Sequence, residues 1–346
     1  MPLLLLSRTH RQDPTHSMGS VCLHDRVYGE VCFAEPLLVD LLRSDAVQRL
    51  QHIYQGGISA FIKPERRTTR WDHSVGVATL LRLLGADVLE QAAGLIHDVA
   101  HTAFSHVVDF VFPNHEHDYH ESHREQMILG TDLPGLLARH NVDWRWLVEA
   151  GNFPLLEQPL PLLCADRLDY FLRDGLLDFA AFTADDVSWL LSHLHVHDRQ
   201  IVVDDVDAAR WLGERFIELD DRCWCSVQEV GWYALMAEAL RAALEHGIIV
   251  REDFRGTDAA LLERLSGAGD PEVDRWLALL WRGVDFVRVD EAEAADLIAL
   301  PKVRAVDPPV LIDGRAVPLS QLDAAFAAMR RAYIEDKEGT WYLRIA

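Results

Sequence analysis

The segment Arg70-Trp71-Asp72-His73, followed further along by His97-Asp98, decides how the rest of this chain is interpreted. His97-Asp98 interrupts the apolar stretch from Ala92 to Ala100, and His73 opens a second apolar stretch with helical spacing. A polar pair inside an apolar segment needs a partner that compensates for its burial, and a metal ion is one such partner. Imidazole and carboxylate ligands together suit one divalent transition metal, Mn, Fe, Ni, Co or Zn. A fourth ligand is expected on a third helix, with Asp166 as the candidate.

The third helix is predicted from Leu162 to Leu177. On it, Asp166, Tyr170 and Asp174 recur every four residues and therefore share one face. Asp166 would reach the metal, while Tyr170 and Asp174 would lie further along the same cleft. We interpret the three segments together as one metal centre, since a single His-Asp dipeptide is a weak signal.

Other polar residues near these segments fit a structural role as well. Asp169 and Arg173, four residues apart, are predicted to form an ordinary helix salt bridge without a chemical function. His101, four residues after His97, can face the same cavity, but alone it fits a buried core histidine equally well. The loop 113–123 is predicted to be mostly solvated, although a second ion there stays open; its histidines are His115, His117, His120 and His123.

Composition limits the class of binding partner. The 346 residues contain 33 Lys and Arg against 55 Asp and Glu, which gives a formal charge of −22. Proteins that coat nucleic acids or anionic membranes need basic surfaces, so both partners are disfavoured. A small anionic substrate stays possible, because the loop before His73 concentrates Lys63, Arg66, Arg67 and Arg70.

The cysteine pattern favours a reducing, cytoplasmic location. The five cysteines form no CxxC pair, which fits free thiols better than a disulfide framework. Cys223 and Cys225 are predicted to be helix residues rather than metal ligands. No apolar stretch approaches the length of a membrane span, and Leu3–Leu6 is too short for a signal-peptide core.

The predicted fold class is mainly α. Residues 1–20 are expected to be a loose lead, residues 21–246 a helical core, and residues 247–346 a smaller α+β region. Three strands are predicted in that last region, because apolar and β-branched residues cluster at Val284–Val289, Val310–Val317 and Trp341–Ile345. The second of them contains an Asp-Gly turn and is expected to fold back as a hairpin.

Three sequence blocks resemble a known family. His97-Asp98-Val99-Ala100-His101-Thr102-Ala103-Phe104-Ser105-His106 matches an HDxxHxxFSH pattern, Arg70 to Ser74 an arginine-aromatic-acid-His-Ser block, and Asp166 to Phe171 an Asp-basic-x-Asp-Tyr block. Together they resemble the HD-domain phosphohydrolases, in the branch of the SAM- and HD-domain dNTP triphosphohydrolase and bacterial dNTPase-like proteins. The resemblance covers roughly Asp25 to Leu240 and implies an HD-domain helical core.

The resemblance also implies a role for each matched residue. The metal ligands would be His73, His97, Asp98 and Asp166. The reacting phosphate would be contacted by His101, Arg70 and Arg167. Proton transfer would involve His106 with Asp109, and His120. The sugar would be contacted by Gln55, Tyr170 and Asp174.

The implied activity is metal-dependent hydrolysis of a nucleotide, with a deoxynucleoside triphosphate giving nucleoside and triphosphate. Mg²⁺ accompanying the substrate and a homo-oligomer are expected by analogy. The family's activator-site residues are replaced by Arg43 and Gln51, so guanine-nucleotide activation is not expected. The family's aromatic-x-His-Lys signature is replaced by Trp224 to Val227, and a phosphate-gripping arginine by Phe216 beside Arg215.

These departures leave three alternatives open. One is an HD phosphatase of nucleoside monophosphates or of another phosphoester. Another is a nucleotide sensor that binds without turnover. The third is a helical protein in which the His-Asp cluster is an inert structural element.

Overall fold

The helix Arg70–Leu83 lies at the centre of the first hydrophobic core. A computed structural model describes residues 19–112 and 123–346. Thr69 caps this helix: its hydroxyl accepts from the Asp72 amide at 3.1 Å, and the Asp72 carboxylate accepts from the Thr69 amide at 3.0 Å. Asp72 of the first motif therefore fixes where the helix begins, so that His73 lies one turn inside the core.

Two further helices, Val88–Ile96 and Ala165–Arg173, pack against Arg70–Leu83 and bring the three sequence blocks together. The remaining helices of the described residues are Pro36–Arg43, Asp45–Arg49, Ser59–Ile62, Val107–Val111, Arg124–Leu129, Leu133–Arg139, Trp144–Leu147, Ala184–His193, Val206–Leu219, Val227–Glu245, Asp258–Ser266, Pro271–Arg282, Leu319–Leu322 and Ala324–Lys337. The predicted fold class, a helical core with a smaller α+β portion, is confirmed.

Two predicted helices are shorter than the apolar pattern suggested. The third helix begins at Ala165 and widens into a π-turn at Asp174–Asp178 instead of continuing to Leu177. The apolar spacing also predicts one helix from Asp207 to Val230, but this helix ends at Leu219, where a second π-turn follows. A new helix then begins at Val227, because the Ser226 hydroxyl accepts from the Glu229 amide and caps it.

Three small sheets flank the helices. Strands Val21–Asp25 and Gly29–Phe33 form a hairpin. The second sheet contains, in spatial order, Leu194–His197, Gln200–Val203, Pro309–Ile312 and Arg315–Pro318. The third sheet contains Phe286–Val289, Trp341–Ile345 and Leu297–Ala299. In the second sheet Val203 pairs with Val310 in parallel, which joins the predicted C-terminal hairpin to the first core.

Two hydrophobic cores cross the predicted boundary at residue 247. The first, around Arg70–Leu83, includes Val310 and Phe326 from the C-terminal region. The second, around Val227–Glu245, includes Ile58 and Phe104 from the N-terminal half. The division at residue 247 stays a prediction, but both cores use side chains from either side of it.

The cysteines are not all free thiols, which corrects the sequence-based expectation. Cys22 and Cys32 face each other across the hairpin and are joined by a disulfide. Cys164, Cys223 and Cys225 are buried free thiols. Within residues 19–112 and 123–346, we find no helix with the length and apolar character needed to cross a bilayer.

Candidate metal centre

The four predicted ligands converge although they come from three separate segments. His73 Nε2 lies 2.9 Å from Asp166 Oδ1 and 3.3 Å from His97 Nε2. His97 Nε2 lies 3.4 Å from Asp98 Oδ1 and 3.6 Å from Asp166 Oδ1. Asp98 Oδ2 lies 3.9 Å from His73 Nε2. The ligand atoms of His73, His97 and Asp166 therefore gather around one point, and Asp98 lies beside both imidazoles.

The donor chemistry at this point fits a divalent cation. His97 Nδ1 donates to the Gly94 carbonyl at 2.7 Å, and His73 Nδ1 donates to Asp169 Oδ2 at 2.8 Å. Each neutral ring with a protonated Nδ1 turns a lone pair on Nε2 towards the other ring. Two facing lone pairs beside two carboxylates repel each other unless a positive charge lies between them.

The electrostatics agree with this interpretation. Burial lowers the pKa of His73, but hydrogen bonds to the carboxylates of Asp166 and Asp169 raise it overall to about 10, so the surroundings of this ring favour positive charge. Burial raises the pKa of Asp98, while Arg70 and His97 lower it overall to well below its ordinary value, so Asp98 stays ionised.

Asp169 forms the predicted helix salt bridge with Arg173, but it also contacts a candidate metal ligand, which the sequence analysis did not predict. The ion pair with Arg173 exists, with Nη2 at 3.0 Å from Asp169 Oδ1, but both side chains are buried and Asp169 also orients His73. Arg173 donates in turn to Asp25 Oδ2 at 2.9 Å. Gly76 makes room for this pair, because a Cβ there would lie 2.0 Å from Arg173 Nη2.

Arg70 and His101 surround Asp98 rather than projecting into open space. Arg70 Nη1 donates to Asp98 Oδ2 at 2.9 Å, and Arg70 Nε donates to the Ser105 hydroxyl at 3.0 Å. His101 Nε2 lies 3.1 Å from Asp98 Oδ1. Burial and the nearby Arg70 charge hold the pKa of His101 well below its ordinary value, so this ring is neutral. Both Arg70 and His101 also line the cavity above the centre.

The predicted proton-transfer pair is formed. His106 Nδ1 lies 2.9 Å from Asp109 Oδ2, and both residues line the cavity. A carboxylate that binds one imidazole nitrogen orients the ring and supports proton transfer at the other nitrogen. His120, the other predicted member, lies outside the described residues, as do His115 and His117.

The predicted sugar-contacting residues line the same cavity. Asp174 Oδ2 accepts from the Trp224 indole at 2.8 Å, and the Tyr170 ring packs edge-on against Trp224. The Gln55 side-chain oxygen is buried and has no hydrogen-bond partner among the described residues. An unsatisfied buried acceptor at a cavity wall favours a ligand that donates to it.

Arg167 lines the cavity, but in this structure its guanidinium is directed towards protein carbonyls. It donates to the carbonyls of Leu162 and Gln158 and to Cys164 Sγ. Cys164, Glu157 and Asp166 form a second group with ligand-type atoms. The guanidinium beside Cys164 disfavours a cation there, and burial raises the pKa of this thiol to about 12. Of the two groups, the one that contains His73, His97 and Asp166 is therefore the better candidate for a metal ion.

The basic loop before His73 faces the cavity only in part. Arg66 and Arg70 line it, and Arg66 Nη1 pairs with Glu229 Oε2 at 2.8 Å. Arg67 donates to the Pro64 carbonyl. Asp178, which sequence reasoning missed, also lines the cavity; burial and the charge of Asp174 raise its pKa to about 7.

The C-terminal region contributes cations that no motif indicated. Lys302 and Arg304 line the same cavity as the motif segments, although they come much later in the sequence. Arg304 Nη1 donates to the Lys302 carbonyl at 3.0 Å and lies 3.8 Å from Asp220 Oδ1. The predicted α+β region therefore forms part of the cavity wall, which no sequence motif indicated.

Comparisons with known proteins agree on a family. The model of the HD domain matches residues 70–174. The uncharacterized protein YdhJ of Bacillus subtilis is 35% identical, with 93% of this chain and 98% of that protein covered. The metal-dependent phosphohydrolase cns2 of Cordyceps militaris is 34% identical, with 92% of this chain and 95% of that protein covered.

More distant matches are consistent with these. The human deoxynucleoside triphosphate triphosphohydrolase SAMHD1 is 32% identical over 30% of this chain and 19% of its own length. The crystal structure of a phosphohydrolase from Bacteroides thetaiotaomicron superposes with a TM-score of 0.63, at 18% identity, over 93% of this chain and 98% of that chain. At this identity the structural match supports the fold alone.

Proposed function

This chain belongs to the HD-domain metal-dependent phosphohydrolases, and from that premise we propose that it hydrolyses a nucleotide, most specifically a deoxynucleoside triphosphate to nucleoside and triphosphate. The observation that carries the proposal is the convergence of His73, His97, Asp98 and Asp166 beside a cavity that cationic side chains and the candidate sugar-contacting residues line. The match to SAMHD1 supports the triphosphate version.

The side chains divide the chemistry among them. A bound metal would polarise a phosphoryl oxygen and lower the pKa of a water molecule. Arg70, buried beside Asp98, contributes a fixed positive charge next to the reacting phosphate. His106, oriented by Asp109, is placed to protonate the leaving oxygen of the nucleoside.

The recognition wall supports a nucleoside. Tyr170 and Trp224 present aromatic surface, Asp174 an acceptor, and Gln55 an unsatisfied carbonyl oxygen. A deoxyribose hydroxyl donates to such acceptors, and its apolar ring face packs on aromatic rings. Lys302 and Arg304 add positive charge on the same cavity, which supports an extended phosphate chain.

A second candidate, a nucleoside monophosphatase, is favoured by one specific observation. Where related enzymes carry a phosphate-gripping arginine, Phe216 is fully buried and stacks on Phe171 at 5.3 Å, and Val227 stands at the lysine of the aromatic-x-His-Lys signature. Neither residue presents a charge to a substrate, and a monophosphate would need none there.

The test is a panel of deoxynucleoside triphosphates and nucleoside monophosphates, each assayed with Mn²⁺, Mg²⁺, Ni²⁺ and Co²⁺. The products are separated by ion exchange and identified by phosphorus NMR. Release of intact triphosphate supports the proposal. Release of inorganic phosphate from monophosphates alone supports the second candidate. Tight nucleotide binding without any product, with the metal bound, contradicts both and indicates a sensor.

A further inference from the structure

The chain makes an unusual turn between His101 and His106. Phe104 and Ser105 adopt φ values of 60° and 52°, and both residues are fully buried. Residues other than glycine rarely adopt this left-handed conformation, and a bulky side chain such as phenylalanine disfavours it further. The surrounding structure must therefore hold the turn in place.

The holding group comes from the C-terminal region. Asp258, 1% exposed, accepts from the Phe104 amide through Oδ1 at 2.7 Å. Its other oxygen, Oδ2, accepts from the Tyr54 amide at 2.8 Å. Next to it, the Ala103 amide donates to the Phe254 carbonyl at 2.8 Å. One buried carboxylate thus joins the turn to the segment before the first motif.

A continuous series of hydrogen bonds leads from these two amides to a candidate ligand. The Ser105 hydroxyl donates to the Tyr54 carbonyl at 2.6 Å and accepts from Arg70 Nε at 3.0 Å. Arg70 Nη1 donates to Asp98 Oδ2 at 2.9 Å. A displacement of the Tyr54–Ser105 pair would therefore move Arg70 and release Asp98.

Two further contacts fix the same turn. Arg49 Nη1 donates to the Gly256 carbonyl, while Arg49 Nη2 donates to the His101 carbonyl at 2.8 Å. Gly57, at a φ of +52°, approaches so closely that a Cβ there would lie 2.5 Å from the Phe104 oxygen. The turn is thus held against both the N-terminal half and the C-terminal region.

We propose that Asp258 is a positioning residue for the metal centre: it holds the Phe104–Ser105 turn so that Ser105 directs Arg70 onto Asp98. The C-terminal region then contributes to metal affinity without touching the metal. In the experiment below, the measurement of turnover rests on the proposed function, whereas the measurement of metal affinity does not.

The variant D258N tests this inference. Asparagine keeps the shape of the side chain but has one acceptor oxygen, so one of the two amides loses its partner. D253N is the matched control, because Asp253 also accepts from a backbone amide, that of Val250 at 2.7 Å, in the same region, but its side chain is 21% exposed. Mn²⁺ affinity is measured by titration calorimetry, together with kcat, KM and Tm.

In D258N we expect Mn²⁺ affinity to weaken by about 10-fold or more, as is typical when a group that orients a ligand is lost. With the substrate identified in the panel, kcat should fall by about 10- to 100-fold while KM stays within about 3-fold. D253N should match the wild type in both respects. Wild-type Mn²⁺ affinity in folded D258N would overturn the proposal.

A second variant covers the case in which D258N does not fold. S105A removes the hydroxyl that Arg70 Nε uses and leaves the carboxylate in place. S105A should lose Mn²⁺ affinity similarly. Where D258N folds, the double variant D258N/S105A should bind Mn²⁺ no more weakly than the single variant with the lower affinity, because both substitutions act on one path. Wild-type affinity in S105A overturns the proposal. If the wild-type protein shows no turnover, the proposed function is wrong, but the comparison of Mn²⁺ affinities still tests the role of Asp258.

Discussion

The two ends of the cavity differ in the pKa values of their carboxyl groups. At the metal end, His73 and His97 each have an Nδ1 partner, and Arg70 and His97 hold the pKa of Asp98 well below its ordinary value. At the recognition end, buried Asp174 and half-buried Asp178 lie near each other, and burial raises the pKa of Asp174 to about 6.

This difference indicates a division of labour. A centre whose ligands are oriented before binding needs little rearrangement to hold a cation. Carboxyl groups that titrate near neutral pH instead change their charge when a charged or polar group binds beside them. We infer that the metal end determines whether hydrolysis occurs, whereas the recognition end determines which phosphoester is used.

The largest expected effect is at the metal end. H97A/D98A removes two of the four candidate ligands, so turnover should fall by about three orders of magnitude or more and stoichiometric metal should be lost. Metal analysis and the product assay check this. The control is H195A, in which an exposed histidine is removed. Retained turnover in a metal-free double variant would contradict the assigned centre.

The next largest effect is expected when only the orientation of the candidate ligand His73 is disturbed. D169N weakens the hold on His73 Nδ1, so metal affinity and turnover should fall by about 10- to 100-fold. D25N is the matched variant, since Asp25 binds the other side of Arg173 without touching His73. Both variants should lower Tm, because each removes a carboxylate from buried Arg173. If D25N weakens Mn²⁺ affinity as much as D169N, the orienting role is wrong.

A smaller effect is expected at the recognition end. R304A should raise KM for a deoxynucleoside triphosphate by about 10-fold, because charge-assisted hydrogen bonds to phosphate contribute on the order of 1.5–3 kcal/mol. Values of kcat and KM for monophosphates should change little. R215A, which removes a helix arginine paired with Glu218, is the control. Equal losses with both classes of substrate would show that Arg304 acts through the fold.

The smallest effect is a pH dependence of stability. The folded pKa of Asp178, about 7, lies above its ordinary value, so the folded protein binds a proton that the unfolded chain releases. This contribution to stability is present at low pH and is lost as the pH rises through about 7. The free energy of unfolding of D178N, relative to that of the wild type, should therefore rise between pH 5.5 and pH 7.5. The rise should be on the order of the free energy that corresponds to the pKa shift of one carboxyl group.

Urea unfolding at the two pH values measures this difference. D198N, at a side chain 90% exposed, serves as the control and should follow the wild type. An identical pH dependence in D178N and the wild type would mean that Asp178 is ionised in the folded protein. The comparison between the two ends would then lose its electrostatic basis.

The sequence could predict the metal end because its chemistry is local. His97 and Asp98 stand adjacent within an apolar stretch, and that anomaly is visible without any tertiary information. The salt bridge of Asp169 with Arg173 was predictable from the i, i+4 spacing, whereas its bond to His73 was missed because it spans 96 residues. Asp258 and Arg304 could not be assigned, because only folding places them near the motif segments.

The same distinction applies to the fold. The hairpin around Asp313-Gly314 was predictable from its turn residues, and its strands are Pro309–Ile312 and Arg315–Pro318. The break after Leu219 was not predicted, because an apolar spacing continues through it. Leu297–Ala299 was also missed, since a three-residue strand depends on its pairing with Trp341–Ile345 rather than on its own composition.

The parallel pairing of Val203 with Val310 has a consequence for biosynthesis. All the motif residues leave the ribosome before Asp258, Arg304 and the strand Pro309–Ile312 are translated. A nascent chain therefore carries its histidines and carboxylates for an interval in which neither the sheet nor the buried turn can be completed. We expect stable cation capture to follow the folding of these later segments, so the metal supply in the cell at that stage would decide which ion the protein acquires.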